Sequence, residues 1–163
     1  NPSRLRTIRQ LVGNIKKGSV LLLVGKVEDA GEFLKEYLAQ YFSDREIVFI
    51  SGSTSLEDRE YYRNKCRDPK NKLILIATYP VFQAGVDIPA LGNIIFAAPF
   101  KSKIRVLQSI GRALRKHITK THGAQIFDLV DHNNKWFAGH GEIRQRFYYK
   151  EKFRVVESDI NED

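Results

Sequence analysis

The sequence predicts an α/β fold, a single domain built on a mostly parallel sheet with helices on both faces. Three observations predict it. Five short, largely apolar runs recur along the 163 residues, and the first, Val20 to Val24, is continuous rather than alternating, as in a strand buried on both faces. Stretches with apolar residues at helical spacing separate them. Strands that alternate with helices favour parallel pairing through crossovers.

The elements follow in order. Ile8, Leu11, Val12 and Ile15 recur at helical spacing and stop near Gly18. Val20 to Val24 is a strand without a polar residue. Residues 28–42 carry Phe33, Leu34, Tyr37, Leu38 and Tyr41 on one helical stripe, and Ile47 to Ile50 is a second strand. Ser55 to about Cys66 reads as a helix with Ser55 as N-cap and Asp58 three residues on, and Asp68-Pro69 ends it. Leu73 to Ala77 is a third strand and Ile94 to Ala97 a fourth. A helix is expected from about Lys103 to His117, a fifth strand over Ala124 to Val130, and a last helix over Ile143 to Val156. The acidic tail from Glu157 to Asp163 is expected to fray. In such a sheet ligands bind beyond the carboxyl ends of the strands, so the loops after Val24, Ile50, Ala77, Ala97 and Val130 are where function is sought.

Composition bounds the class. Hydrophobic residues make up 42% and charged residues 28%, ordinary for a globular domain, and no apolar run approaches the roughly 20 residues of a membrane span. The single cysteine, Cys66, excludes an internal disulfide framework and a cysteine-based zinc site, and reads as a small buried hydrophobe. His117, His122, His132 and His140 lack metal-ligand spacing, so no metal site is expected. The sequence contains no Met and starts with Asn, and the expectation is a piece cut from a longer chain.

The charge sum is 27 − 19 = +8 with a pI near 9.6. An excess of this sign suits a polyanion, nucleic acid above all, although charge alone fits a merely basic protein equally well. The excess is unevenly spread. Between Ile88 and Phe127 there is no Asp or Glu but seven cations, namely Lys101, Lys103, Arg105, Arg112, Arg115, Lys116 and Lys120. On a helix turning about 100° per residue, Gln108, Arg112 and Arg115 share one face, and Val106, Leu107, Ile110, Ala113 and Leu114 form the other. Guanidiniums one turn apart suit phosphate oxygens, and a solvated basic face has the same pattern. Gly85 permits close backbone approach and Asp87 could accept from a ribose hydroxyl or cap a turn. There is no GxxxxGK[ST] phosphate loop and no glycine-rich dinucleotide fingerprint, so the chain alone holds no complete catalytic machine.

The ordered set says more than any member. Gly52-Ser53-Thr54, then Ile76-Ala77-Thr78, then Gly85-Val86-Asp87, then Gln108-xx-Gly111-Arg112-xx-Arg115 resembles the second RecA-like motor domain of superfamily 2 helicases over roughly residues 5–131. Ala-Thr-(x)6-Gly-x-Asp looks like motif V, Gln-xx-Gly-Arg-xx-Arg like motif VI, and Val20 to Lys26 like motif IV. The run Lys101-Ser102-Lys103-Ile104 into Leu114-Arg115-Lys116-His117, with Tyr148 to Phe153, is most similar to the phage UvsW-type helicases. Asp87 departs from that subgroup but matches many other superfamily 2 members.

The resemblance implies a single RecA-like domain over 1–135 and a helical extension over 136–163 that packs on it. It implies that Arg112 and Arg115 are arginine fingers for ATP, with Gln108, Gly85 and Asp87 lining the nucleotide. Thr78, the backbone at Gly52, Lys26, Lys101 and Lys103 would contact strand phosphates. ATP and Mg²⁺ would be held mainly by an N-terminal RecA-like domain of the same polypeptide, which carries the Walker lysine and the Asp-Glu pair missing here. The implied activity is an ATP-dependent DNA helicase that remodels branched DNA in recombination, repair and replication restart. The implied setting is a bacterial or phage-infected cytoplasm, with no membrane partner, and the chain alone is expected to lack appreciable ATPase. Two other readings remain: an RNA helicase or duplex translocase half-motor, and a non-catalytic nucleic-acid-binding module. The aromatics among basic residues at the C-terminus, Trp136 to Phe153, either stack on bases or pack a terminal helix onto the domain.

Overall fold

The computed structural model describes residues 1–25, 28–83, 92–98, 125–130, 135–150 and 153–158. The helix expected over 103–117 lies outside them. The elements are α1 (Pro2–Asn14), β1 (Val20–Val24), α2 (Glu28–Ala39), β2 (Ile47–Ile50), α3 (Leu56–Arg67), β3 (Ile74–Thr78), α4 (Tyr79–Gln83), β4 (Asn93–Phe96), β5 (Gln125–Asp128) and α5 (Lys135–Lys150). All four strand pairings are parallel, in the order β2-β3-β1-β4-β5. The first strand in the chain is therefore the middle of the sheet, flanked by β3 and β4.

Burial explains why the apolar runs are continuous. Along β1 and β3 successive side chains point to opposite faces, and both faces are covered. Val20, Leu22, Val24, Ile74, Ile76 and Ile95 meet Ile8, Val12 and Ile15 of the α1 region and Leu34 and Leu38 of α2. Leu21, Leu23, Leu75, Ala77, Ile94 and Phe96 meet Cys66 of α3, Val81 and Phe82 of α4, and Phe147 and Tyr148 of α5. Each such aliphatic side chain contributes about 1.5–3 kcal/mol on leaving water. α2 lies so close to the sheet that a Cβ on Gly31 would stand 2.1 Å from the Phe49 ring.

Local signals set the helix ends. Asn1 caps α1, its Oδ1 accepting from the Ser3 and Arg4 amides at 3.0 and 3.4 Å, with Pro2 in the first turn where its missing N–H does no harm. Gly18 takes a φ of 74° in the turn into β1, a conformation that favours glycine. Ser55 caps α3 as its sequence position predicts, accepting from the Asp58 amide at 3.1 Å.

Strand limits shift from expectation by one to a few residues: β3 starts at Ile74 and includes Thr78, β4 covers 93–96, and β5 covers 125–128. The last helix differs more. It spans 135–150, beginning eight residues before Ile143 and ending six before Val156. Gly139 and Gly141 weaken the helical signal in its first half. Gly141 earns its place there by contact, since a Cβ would stand 2.9 Å from Val130. At the other end the Phe153 amide donates to the Tyr148 carbonyl at 3.0 Å, folding Phe153 back against the Tyr148 ring, so the apolar pattern continues past the helix.

Candidate nucleic-acid interface

Two of the predicted phosphate contacts are described, and both lie at the carboxyl edge. Ile50 ends β2 opposite Ala77, and Thr78 ends β3 opposite Val24 of β1. Gly52 and Thr78 therefore leave adjacent strands at the same end of the sheet. Lys26, Gly85, Asp87, Lys101, Lys103, Gln108, Arg112 and Arg115 lie outside the described residues.

The Ser51–Ser55 loop is tied by its own hydroxyls. Thr54 Oγ1 accepts from the Ser51 amide at 3.0 Å, the Thr54 amide donates to the Ser51 carbonyl at 3.2 Å, and the Ser51 and Ser53 hydroxyls share a hydrogen bond of 2.7 Å. Ser51 Oγ also accepts from the Ser53 amide at 3.3 Å. Such short polar side chains hold turns by bonding to nearby backbone. Gly52 sits in this loop exposed, without a left-handed φ and with nothing within 4 Å of where a Cβ would be. The loop's own geometry does not require a glycine; its effect is a bare backbone open to close approach from outside.

Sequence reasoning missed Arg59. Its Nη2 donates to the Ser51 carbonyl at 3.1 Å and the Gly52 carbonyl at 2.9 Å, so one guanidinium group clamps the loop and puts positive charge beneath it. The available signal was a cation close to a helix N-terminus, where the helix dipole disfavours one.

Thr78 is 3% exposed, and α4 begins at the next residue, Tyr79, without a loop. The Tyr79 ring stacks on Phe96, 6.2 Å between centroids and 7° from parallel. Across the sheet Phe96 pairs with Asp128, the last residue of β5. Asp128 forms a cluster that the sequence reading also missed. Arg144 of α5 grips its carboxylate with both branches, Nε to Oδ2 at 2.5 Å and Nη2 to Oδ1 at 3.1 Å, the side chains being 4% and 12% exposed. The Tyr148 hydroxyl donates to the same Oδ2 at 2.9 Å. Burial first, and the Asp128 carboxylate second, push both the Tyr79 and Tyr148 phenols far above their ordinary range, so each stays protonated. Of the C-terminal aromatics, Phe147, Tyr148 and Phe153 pack on the domain, while Tyr149 is exposed.

Among the described residues no group of three His, Cys, Asp or Glu side chains could hold a metal ion, and no helix is long and apolar enough to cross a membrane.

The sequence matches the family described as helicase conserved C-terminal domain over residues 3–117, more than half of the chain. The chain belongs to that family. As a helicase C-terminal domain it is 34% identical over 130 residues to the ATP-dependent DNA helicase uvsW of Enterobacteria phage T4, covering 71% of this chain and 26% of that protein. It is 31% identical over 91 residues to a putative ATP-dependent RNA helicase, L396, of Acanthamoeba polyphaga mimivirus, covering 56% of this chain and 17% of that one. The crystal structure of T4 UvsW superposes with a TM-score of 0.72 at 27% identity, over 94% of this chain and 33% of that one. The C-terminal domain of the DEAD-box protein Dbp5 shares the fold, with a TM-score of 0.68 at 17% identity over 92% and 81% of the two chains. The five-stranded parallel sheet is thus that of a RecA-like helicase C-terminal domain of superfamily 2. The helicase domain spans about a quarter or less of the length of these two curated relatives.

Proposed function

We propose that this chain is the second motor domain of an ATP-dependent superfamily 2 DNA helicase or translocase that remodels branched DNA in recombination, repair and replication restart. The observation that carries the reading is that the exposed Gly52 loop and Thr78 follow adjacent strands to the same edge of the sheet, in a chain of this family with a net charge of +8. The exposed Gly52 backbone admits a phosphate closely, and Arg59 fixes the loop beneath it. A grip of this kind reads phosphates rather than bases, so it ignores sequence and weakens with salt. Lys26, Lys101 and Lys103 add phosphate contacts in this reading. Residues 1–135 form the motor unit, 136–163 an extension on it.

Arg112 and Arg115 act as arginine fingers, Gln108, Gly85 and Asp87 line the ribose and phosphates, and the N-terminal RecA-like domain of the full-length protein holds most of the nucleotide. ATP with Mg²⁺, when bound between the domains, supplies the free energy for closing them. DNA is favoured over RNA by the 34% relative, which is named a DNA helicase. The mimivirus relative's name keeps an RNA substrate as the second reading.

The decisive experiment is Arg115→Ala in the full-length protein. The expected result is a fall in kcat of about 10³ with nucleic-acid affinity nearly intact, in line with the worth of such fingers. A loss of affinity alone would make Arg115 a phosphate clamp. The 163-residue chain by itself is expected to show no DNA-stimulated ATP turnover.

A further inference from the structure

We propose that Arg144 and Tyr148 are positioning residues for the nucleic-acid grip, acting through Asp128 on the Thr78–Tyr79 corner. The inference rests on Thr78 holding strand phosphates, and it makes α5 a part of the grip.

β5 is an edge strand, paired on one side with β4 alone among the described residues. Its carboxyl end is held from above by α5, through the two-pronged Arg144 contact and the Tyr148 hydroxyl. From Asp128 the contacts run inward. Asp128 pairs in register with Phe96, Phe96 carries the stacked Tyr79 ring, and Tyr79 is bonded to Thr78. After burial, the Asp128 charge also disfavours ionisation of the Tyr79 phenol. One carboxylate, 12% exposed, is therefore tied directly to the terminal helix and, through Phe96, to the corner where β3 becomes α4. An interior this tightly packed transmits a displaced side chain instead of absorbing it.

The position of the joint adds to the argument. α4 leads directly into residues 84–91, which hold Gly85 and Asp87, and β5 directly follows residues 99–124, which hold Gln108, Arg112 and Arg115. α4 and β5, the two elements this chain of contacts links, are thus each the immediate sequence neighbour of one of those segments. A purely structural latch could have been placed anywhere along the 16 residues of α5.

The test is binding of a fluorescent oligothymidylate to the 163-residue chain at low salt, well below its unfolding temperature. Tyr148→Phe removes one hydroxyl and is expected to keep the fold; Arg144→Lys keeps the charge but loses the two-pronged grip. Both are expected to raise the binding midpoint about threefold or more, with the slope against salt unchanged because no phosphate contact is lost. A lowered melting temperature with an unmoved midpoint in Tyr148→Phe overturns the proposal and leaves the joint as scaffolding. Failure of the unmodified chain to bind at all would remove the Thr78 reading, and the joint's role with it.

Discussion

The loop after β2 and the corner after β5 end strands at the same edge of one sheet, yet they are held by different means. At Ser51–Ser55 the ties are hydroxyl and carbonyl bonds within five residues, with Arg59 reaching in from α3, and Gly52 stays open to solvent. At Asp128 the tie is a charge pair taken almost wholly out of water, its cation on α5 and 16 residues away along the chain. Local bonds leave the backbone at Gly52 open to solvent. A buried pair uses up its charges and gives rigidity instead.

Breaking the buried corner should have the largest effect. Arg144→Ala leaves the Asp128 carboxylate buried without its cation and is expected to lower unfolding free energy by about 3–5 kcal/mol in urea titration. A loss under 1 kcal/mol would mean that water reaches Asp128 freely.

Alkaline pH probes the same corner. The folded chain keeps the Tyr79 and Tyr148 phenols protonated where the unfolded chain releases their protons, near the ordinary phenol value of about 10. Because the folded form binds more protons there, stability is complete below that pH and falls as pH rises through it, by up to about 1.4 kcal/mol per pH unit for each phenol. Tyr148→Phe should make the decline between pH 10 and 11 measurably shallower.

Two glycines sharpen the comparison at smaller scale. Gly31→Ala drives a methyl into the Phe49 ring and should cost about 1–3 kcal/mol. Gly52→Ala meets no atom and should change stability by no more than about 1 kcal/mol, in the stabilising direction if at all. Equal penalties in thermal unfolding would show that the open loop is as closely packed as the core.

Much of this architecture is legible in the residues themselves. β1 and β2 coincide with their apolar runs, because a strand covered on both faces has no polar positions to blur its limits. The Ser55 cap was legible for the same local reason. The carboxyl-edge rule pointed to the loops after Ile50 and Ala77, the helicase resemblance singled out Gly52 and Thr78 there, and the parallel register brings the two to one end. Long-range ties were not legible. Nothing near Asp128 in sequence says that Arg144 answers it, and a bond between residues 16 apart depends on how α5 lies on the sheet. Nor does the sequence show that Gly141 sits in a helix, since its reason is the Val130 side chain beneath it.

The central place of β1 has a consequence for how the chain is made. Val20–Val24 leaves the ribosome well ahead of its sheet neighbours, which begin at Ile74 and Asn93. At the roughly 5–20 residues per second of translation, this wholly apolar segment waits several seconds for either partner. During that interval it is a natural client for a chaperone, and slowing synthesis between β1 and β3 would lengthen its exposure to aggregation.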